Sequence, residues 1–259
     1  MFIISIEFII SNSHKNKRSV NFAVMSKVID VCLSPELIQQ HDLKGKIVVV
    51  TDVFRATSCM VAGLANGVKS IRPVLEVEEC RKYQAMGYLA GGERHAQMIN
   101  GFDLDNSPFS YMDQKAKSQK IAMTTTNGTV AIDRAKTNAH EVLVASFSNL
   151  SATANYLSNQ ENDVIIICAG WKGRPGLEDI LFAGALVKAL GDSYINEEDS
   201  THLATAAYEA SKSDMLEYLE RASHLKRLKT LGGADIAFCL IPDQFDVVIH
   251  LVDDELCLK

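Results

Sequence analysis

From residue 28 onward the chain alternates short apolar runs with segments of helical spacing. Short apolar runs, several of them rich in Val and Ile, fall at residues 28–33, 47–53, 70–74, 88–91, 121–125, 141–145, 164–169 and 247–252, and their length and composition predict strands. Helical patterns occupy 35–41, 56–66, 77–85, 130–136, 150–159 and 179–190 between them. This βαβα rhythm predicts an α/β fold, a mostly parallel or mixed sheet covered by helices. Residues 164–167 (V-I-I-I) are apolar without a break, as a strand buried on both faces requires.

After Gly191 the pattern changes. An acidic turn at Glu197-Glu198-Asp199 opens helical stretches at 201–211, 214–221 and 225–231. Gly232-Gly233 interrupts them, and 234–240 reads as one more short helix before the last strand. The prediction is therefore a helix-rich segment at about 197–240 near the C-terminus, after which the chain rejoins the main body. Residues 1–24 read as an N-terminal extension outside the fold, which leaves one α/β domain over 25–259. The apolar run 1–10 precedes the basic stretch 11–18, the reverse of a secretory signal, and is too short to span a bilayer.

Composition narrows the function. A net charge of −6 opposes nucleic-acid binding, which needs dense Lys and Arg, but allows a small anion met by local cations and backbone donors. Six scattered cysteines without a C-x-x-C motif read as reduced core residues of a cytoplasmic protein, not zinc ligands. No segment is long and apolar enough for a membrane helix, so no membrane partner is expected; the helical segment at 201–231 has a homo-oligomer as one use.

The candidate chemistry lies at strand ends, where open α/β sheets bind ligands. Residues 121–129, I-A-M-T-T-T-N-G-T, run from an apolar strand through hydroxyls, an amide and a glycine into a helix start. Free N–H groups and the helix dipole make such a turn an anion cradle, with Thr125, Thr126, Asn127 and Gly128 as the contacts and a left-handed Asn-Gly turn as the expected geometry. The same residues also cap helices that hold no ligand. Residues 52–58, D-V-F-R-A-T-S, set Asp52 and Arg55 at a strand-to-helix junction. Asp52 suits a metal ligand or nucleophile, and Arg55 a grip on a phosphate or sulfonate oxygen; the bland reading makes Asp52 a cap paired with Arg55. A haloacid-dehalogenase-type phosphatase would carry a second aspartate where Phe54 stands.

Three further segments agree. Gly91-Gly92-Glu93-Arg94 follows a strand and supplies an acid and a cation. Residues 101–108, G-F-D-L-D-N-S-P, end in a helix start with Ser107 at the cap and Pro108 first, which would present Asn106 and Ser107 as oxyanion donors. Residues 168–179, C-A-G-W-K-G-R-P-G-L-E-D, join Lys172 and Arg174 to Glu178 and Asp179, a clamp for an anion and a metal. Magnesium prefers carboxylate oxygens with retained waters, and Asp52, Glu93, Glu178 and Asp179 offer them. Of the histidines only His95 is placed to line such a site; the others, His224 included, show no ligand spacing.

These segments, in this order, resemble the 2-phosphosulfolactate phosphatase family, with its D-V-x-R-A-T-S, G-G-E-R, G-F-D-x-x-N-S-P, T-T-T-N-G-T and C-A-G-x-x-G-x-x-x-x-E-D features. The resemblance covers about 28–252; Phe54, where aliphatic residues are more usual, is the one departure. It implies a Mg2+-dependent phosphatase that converts 2-phosphosulfolactate to sulfolactate and phosphate, a step of coenzyme M biosynthesis. The expected catalytic set is Asp52, Arg55, Glu93 and Asp179, with Arg94 and Arg55 neutralising the phosphoryl and sulfonate groups. The nucleophile is either Asp52 or a metal-activated water. Two other readings stand beside it: a phosphatase for another phosphorylated 2-hydroxy acid, and a non-catalytic anion-binding module on the same scaffold.

Overall fold

The computed structural model describes residues 27–230 and 233–259. The predicted extension 1–24 lies outside these. Ten strands form one mixed sheet: β1 (Ile29–Cys32), β2 (Ile47–Thr51), β3 (Ser70–Pro73), β4 (Leu89–Arg94), β5 (Gln97–Met98), β6 (Lys120–Thr124), β7 (Glu141–Val144), β8 (Val164–Cys168), β9 (Ile249–Val252) and β10 (Glu255–Leu258). Their order is β1-β8-β2-β7-β9-β10-β3-β6-β4-β5. The β1-β8-β2-β7 block is parallel, as is the β3-β6-β4 block. The C-terminal hairpin β9-β10 joins them through antiparallel pairings on both sides.

Three antiparallel steps make the two parallel blocks run in opposite senses. In a flat sheet their carboxyl ends would lie at opposite edges. The turns that follow β2 and β6 nevertheless meet. A Cβ placed on Gly128, after β6, would lie 2.6 Å from the Ala56 Cβ, after β2.

Ten α-helices among the described residues cover the sheet: α1 (Ala56–Ala65), α2 (Val77–Ala85), α3 (Pro108–Met112), α4 (Gly128–Ala135), α5 (Leu150–Ser158), α6 (Leu177–Leu190), α7 (Asp199–Ser211), α8 (Met215–Leu219), α9 (Ser223–Lys229) and α10 (Ile236–Cys239). The period of two in the central strands sorts their side chains between the faces. Ile47 and Val49 of β2 and Val164 and Ile166 of β8 join a core with α5, α6, α7, α9 and α10. Val48, Val50, Ile165 and Ile167 join a core with α1, α3 and α4 on the other face. No helix among the described residues is long and apolar enough to cross a membrane. All six cysteines are free, five of them buried.

The structure departs from the expected elements at four places. Strands β5 and β10 are additional, each too short or too mixed in polarity to stand out as an apolar run. The Gly91–Arg94 segment lies inside β4 and not after it. Residues 35–41, expected as a helix, form a 3-10 turn over Pro35–Gln40.

Candidate active site

Strand β2 ends at Thr51, and Asp52 stands in the turn before α1 with 6% of its surface exposed. The hydroxyls of the following Thr57 and Ser58 hold this turn. Thr57 Oγ1 accepts from the Asp52 N–H and donates to the Asp52 carbonyl, both at 3.0 Å, while Ser58 Oγ donates to the Val53 carbonyl at 2.9 Å. The Asp52 carboxylate itself has one weak bond, from the Ala56 N–H to Oδ1 at 3.4 Å, so Oδ2 is available. Arg55 is the N-cap residue of α1 and does not pair with Asp52. Its Nη1 donates to Asp235 Oδ2 at 2.7 Å.

Three other acids surround this turn, and they divide by what their oxygens do. Asp179 accepts from the Val53 N–H and the Gly170 N–H, each at 2.8 Å, tying the β2 and β8 turns together. Glu93 Oε1 accepts from Thr126 N and Oγ1 at 2.9 and 2.7 Å, and Oε2 accepts from Ala96 N at 2.6 Å. Glu178 Oε1 meets His224 Nδ1 at 2.5 Å, whereas Glu178 Oε2 is buried with no partner. Asp179 and Glu93 thus have both oxygens engaged with loop donors. Among the described residues, no group of three or more His, Cys, Asp or Glu converges to hold a metal ion. This corrects the expected ligand set: Glu93 and Asp179 frame the turns, and Asp52 and Glu178 are the two acids with an oxygen to offer. One or two carboxylates are what a hydrated magnesium ion uses, and each of these two acids has the free oxygen that such a ligand needs.

Burial dominates the acid chemistry. It pushes the Asp52 carboxyl up to about 7, opposed by His224 and the Ala56 N–H and reinforced by the charges of Glu178 and Glu93. Asp179 is raised well above the usual carboxylate range by burial, then by Glu178 and Asp52, against its two N–H donors.

The Thr124–Thr129 turn is built differently from the expected left-handed Asn-Gly turn. Neither Asn127 nor Gly128 has positive φ. The glycine is needed for space: a Cβ there would stand 2.6 Å from the Ala56 Cβ and 2.8 Å from Asp52 Oδ2. Thr125 and Thr129 exchange bonds, each hydroxyl accepting from the other's N–H at 3.2 Å. Thr125 therefore caps α4, and the Asn127 side chain makes no capping bond. The N-termini of α1 and α4 abut at Asp52 as a result.

A cavity of about 240 Å³ opens here, bordered by Asp52, Arg55, Glu93, Asn127, Lys172 and His224, with His95, Asn106 and Thr126 also on its wall. A larger cavity of about 630 Å³ lies beside it, lined by Trp171, Lys172, Arg174, Glu178 and His224 among others. Lys172 and His224 border both. Arg94, expected to face substrate, is not on either wall. It donates to the Glu93 and Leu75 carbonyls and to Thr124 Oγ1, each at 2.9 Å, which anchors the end of β4. Ser107 is likewise off the walls; its N–H donates to Asp105 Oδ1 at 3.1 Å. Gly92 explains the paired glycines, since at φ +140 any Cβ would run into the Thr124 carbonyl oxygen.

Two residues escaped the sequence reading. His224 in α9 stacks on Trp171 at 5.2 Å and 12°, and touches Phe54 edge-on. Asp235 begins α10 and is 3% exposed. Both come from the C-terminal helical segment, and neither has a neighbour in sequence that suggests a site.

The profile of the 2-phosphosulpholactate phosphatase family matches residues 32–254. A probable 2-phosphosulfolactate phosphatase of Thermotoga petrophila is 40% identical over 233 residues, covering 90% of this chain and 99% of its own. The protein of that name from Caldanaerobacter subterraneus subsp. tengcongensis is 40% identical, covering 83% and 91%. One from Clostridium perfringens is 35% identical, covering 88% and 95%. With its strand-end motifs gathered at one cavity and the match running along nearly the whole described fold, the chain belongs to the 2-phosphosulfolactate phosphatase family, a family of phosphoric monoester hydrolases.

Proposed function

We propose that this chain is a magnesium-dependent phosphatase that hydrolyses 2-phosphosulfolactate to sulfolactate and phosphate. The observation that carries the reading is a buried, under-bonded Asp52 at the junction of two helix N-termini, with Arg55 beside it. A phosphoryl group in the 240 Å³ cavity would lie near the positive ends of the α1 and α4 dipoles and meet the Arg55 guanidinium and the Asn127 side chain. These groups neutralise its oxygens and hold it in line for attack, which is most of what phosphoryl transfer asks of a protein.

Asp52 Oδ2 and Glu178 Oε2 would hold the magnesium ion, which when bound supplies positive charge against the phosphoryl oxygens. Asp52, Asn127 and Arg55 all border the 240 Å³ cavity, where Asp52 would orient the attacking water and Asn127 and Arg55 the ester. Water adds to phosphorus, the bond from phosphorus to the 2-oxygen breaks, and the proton that the water gives up passes to the released alkoxide to give the hydroxy acid and phosphate. Lys172, on the border of both cavities, faces the distal sulfonate.

A second reading has one observation in its favour. The neighbouring 630 Å³ cavity exceeds what a three-carbon sulfonate fills, so a phosphorylated 2-hydroxy acid with a longer anionic end also fits. Phosphate release from 2-phosphosulfolactate, phosphoglycolate and phospholactate, with magnesium and with EDTA, separates the readings. We expect release with magnesium, abolished by EDTA and fastest for 2-phosphosulfolactate. Faster release from another member moves the substrate to the second reading, and no release from any member leaves a non-catalytic anion-binding module.

A further inference from the structure

A guanidinium three residues from a buried carboxylate would by proximity pair with it. Arg55 is held away from Asp52 by an acid 180 residues distant, Asp235, at 2.7 Å. The Asp235 side chain is 4% exposed and does not border the active-site cavity, whereas Arg55 is 14% exposed and does. A molecule bound in the cavity would therefore touch Arg55 and not Asp235. The pair is also single-pronged. Arg55 Nε and Asp235 Oδ1 are both buried without partners, so the two-bond fork that makes such pairs strong is absent. A buried ion pair with unsatisfied atoms is poor stabilisation. It does fix one nitrogen of the guanidinium and leave the rest of the group directed elsewhere.

We propose that Asp235 is a positioning residue: it gives Arg55 a partner of its own, which keeps the guanidinium off Asp52 and aimed at the phosphoryl oxygens. The C-terminal helices then complete the site from outside the strand-end turns, because α10 brings Asp235 and α9 brings His224 to it. Without Asp235, the acids left on the cavity wall with Arg55 are Asp52 and Glu93, and Glu93 is already bound to Thr126 and Ala96. Arg55 would close on Asp52, cancelling a cation and a free carboxylate that the reaction needs together. The inference rests on the phosphatase reading in one respect, that Arg55 contacts the phosphoryl group.

The test compares Asp235→Asn, Asp235→Glu, Arg55→Met and the double variant Asp235→Asn/Arg55→Met with the unaltered chain. Three quantities are read: KM and kcat for magnesium-dependent release from 2-phosphosulfolactate, inhibition by inorganic phosphate, and the thermal unfolding midpoint. Displacing a positioned group typically costs up to about a hundredfold, so Asp235→Asn should raise KM and the phosphate inhibition constant roughly 10- to 100-fold. Asp235→Glu, which restores an acid, should recover most of that. The double variant should be no worse than Arg55→Met alone within about twofold, because the two residues act through one contact. Unchanged KM and phosphate inhibition in Asp235→Asn would overturn the proposal. So would a double variant in which the two losses multiply, or equal losses in Asp235→Asn and Asp235→Glu that track a lowered unfolding midpoint. If Arg55→Met itself binds phosphate normally, the phosphoryl contact fails and the proposal falls with it. A defective Arg55→Met beside a normal Asp235→Asn refutes the positioning role alone.

Discussion

Two carboxylates of this sheet have opposite surroundings. Glu255 on β10 collects Ser70 Oγ and Tyr88 OH at 2.6 Å and Lys120 Nζ at 3.2 Å, with Arg72 Nη2 at 3.4 Å. Burial would raise it, but the bonds from Ser70, Tyr88 and Lys120 outweigh burial and bring it down to about 2. Asp52 has a single weak N–H donor and three acids nearby, and burial lifts it to about 7. Glu255 ties β10 to β3, β4 and β6, which are the strands that carry half of the site. A carboxylate whose oxygens are all satisfied is a joint; one left charged and unsatisfied in a cavity is poised for a ligand or a proton.

The comparison breaks hardest at Asp52. Asp52→Asn should lower phosphate release roughly a thousandfold, measured at saturating substrate. The same variant probes the energetic cost of that acid. Its folded value of about 7 lies above the ordinary 3.8, so the folded state holds the proton more tightly, and stability falls as pH rises from about 4 through 7. In EDTA, the variant should therefore unfold at a higher temperature than the unaltered chain at pH 8, with the gap closing toward pH 4. A gap independent of pH would show that Asp52 carries no such cost.

Gly128 tests the meeting of α1 and α4. Gly128→Ala pushes a methyl against the Ala56 Cβ and Asp52 Oδ2, so the two helix starts must separate. Activity should fall about a hundredfold by misplacement, with about 1–3 kcal/mol lost in denaturant unfolding. Near-normal kinetics would mean that the cradle tolerates the separation.

Glu255→Gln sharpens the other side with the smallest effect. Activity should stay within about twofold, and stability at pH 7 should fall by about 1 kcal/mol after allowance for solvent screening. Here the folded value of about 2 lies below the ordinary 4.5, so the stabilisation is complete above 4.5 and disappears as pH falls through about 2. The variant and the unaltered chain should converge in acid. A persistent difference at pH 2 would assign the loss to packing.

The local features were legible because their causes are local. The unbroken V-I-I-I of β8 announces a strand buried on both faces, and the alternation of β2 and β8 between two cores follows from the pleat. The start of α3 at Ser107-Pro108 and the helices after Asp52 and Thr124–Thr129 follow from turn chemistry. The roles of individual side chains were less legible. Arg94 and Glu93 look alike in sequence as charges beside glycines, yet one binds carbonyls and the other binds N–H groups, and neither oxygen of Glu93 is spare. His224 and Asp235 carry no local signal, because what matters about them is a contact across 46 or 180 residues.

The sequence alone determined the α/β architecture, the family and the segments that supply the site, since hydrophobic period, turn residues and ordered motifs depend on a few neighbouring positions. The tertiary structure decided which of those residues share a cavity. It reversed the direction of half the sheet through a C-terminal hairpin, brought the turns after β2 and β6 together, and made Gly128 a matter of space and not of backbone freedom. It also decided which carboxylates are satisfied and which are left free. That distinction rests on partners brought together by folding, and no local stretch of the chain contains them.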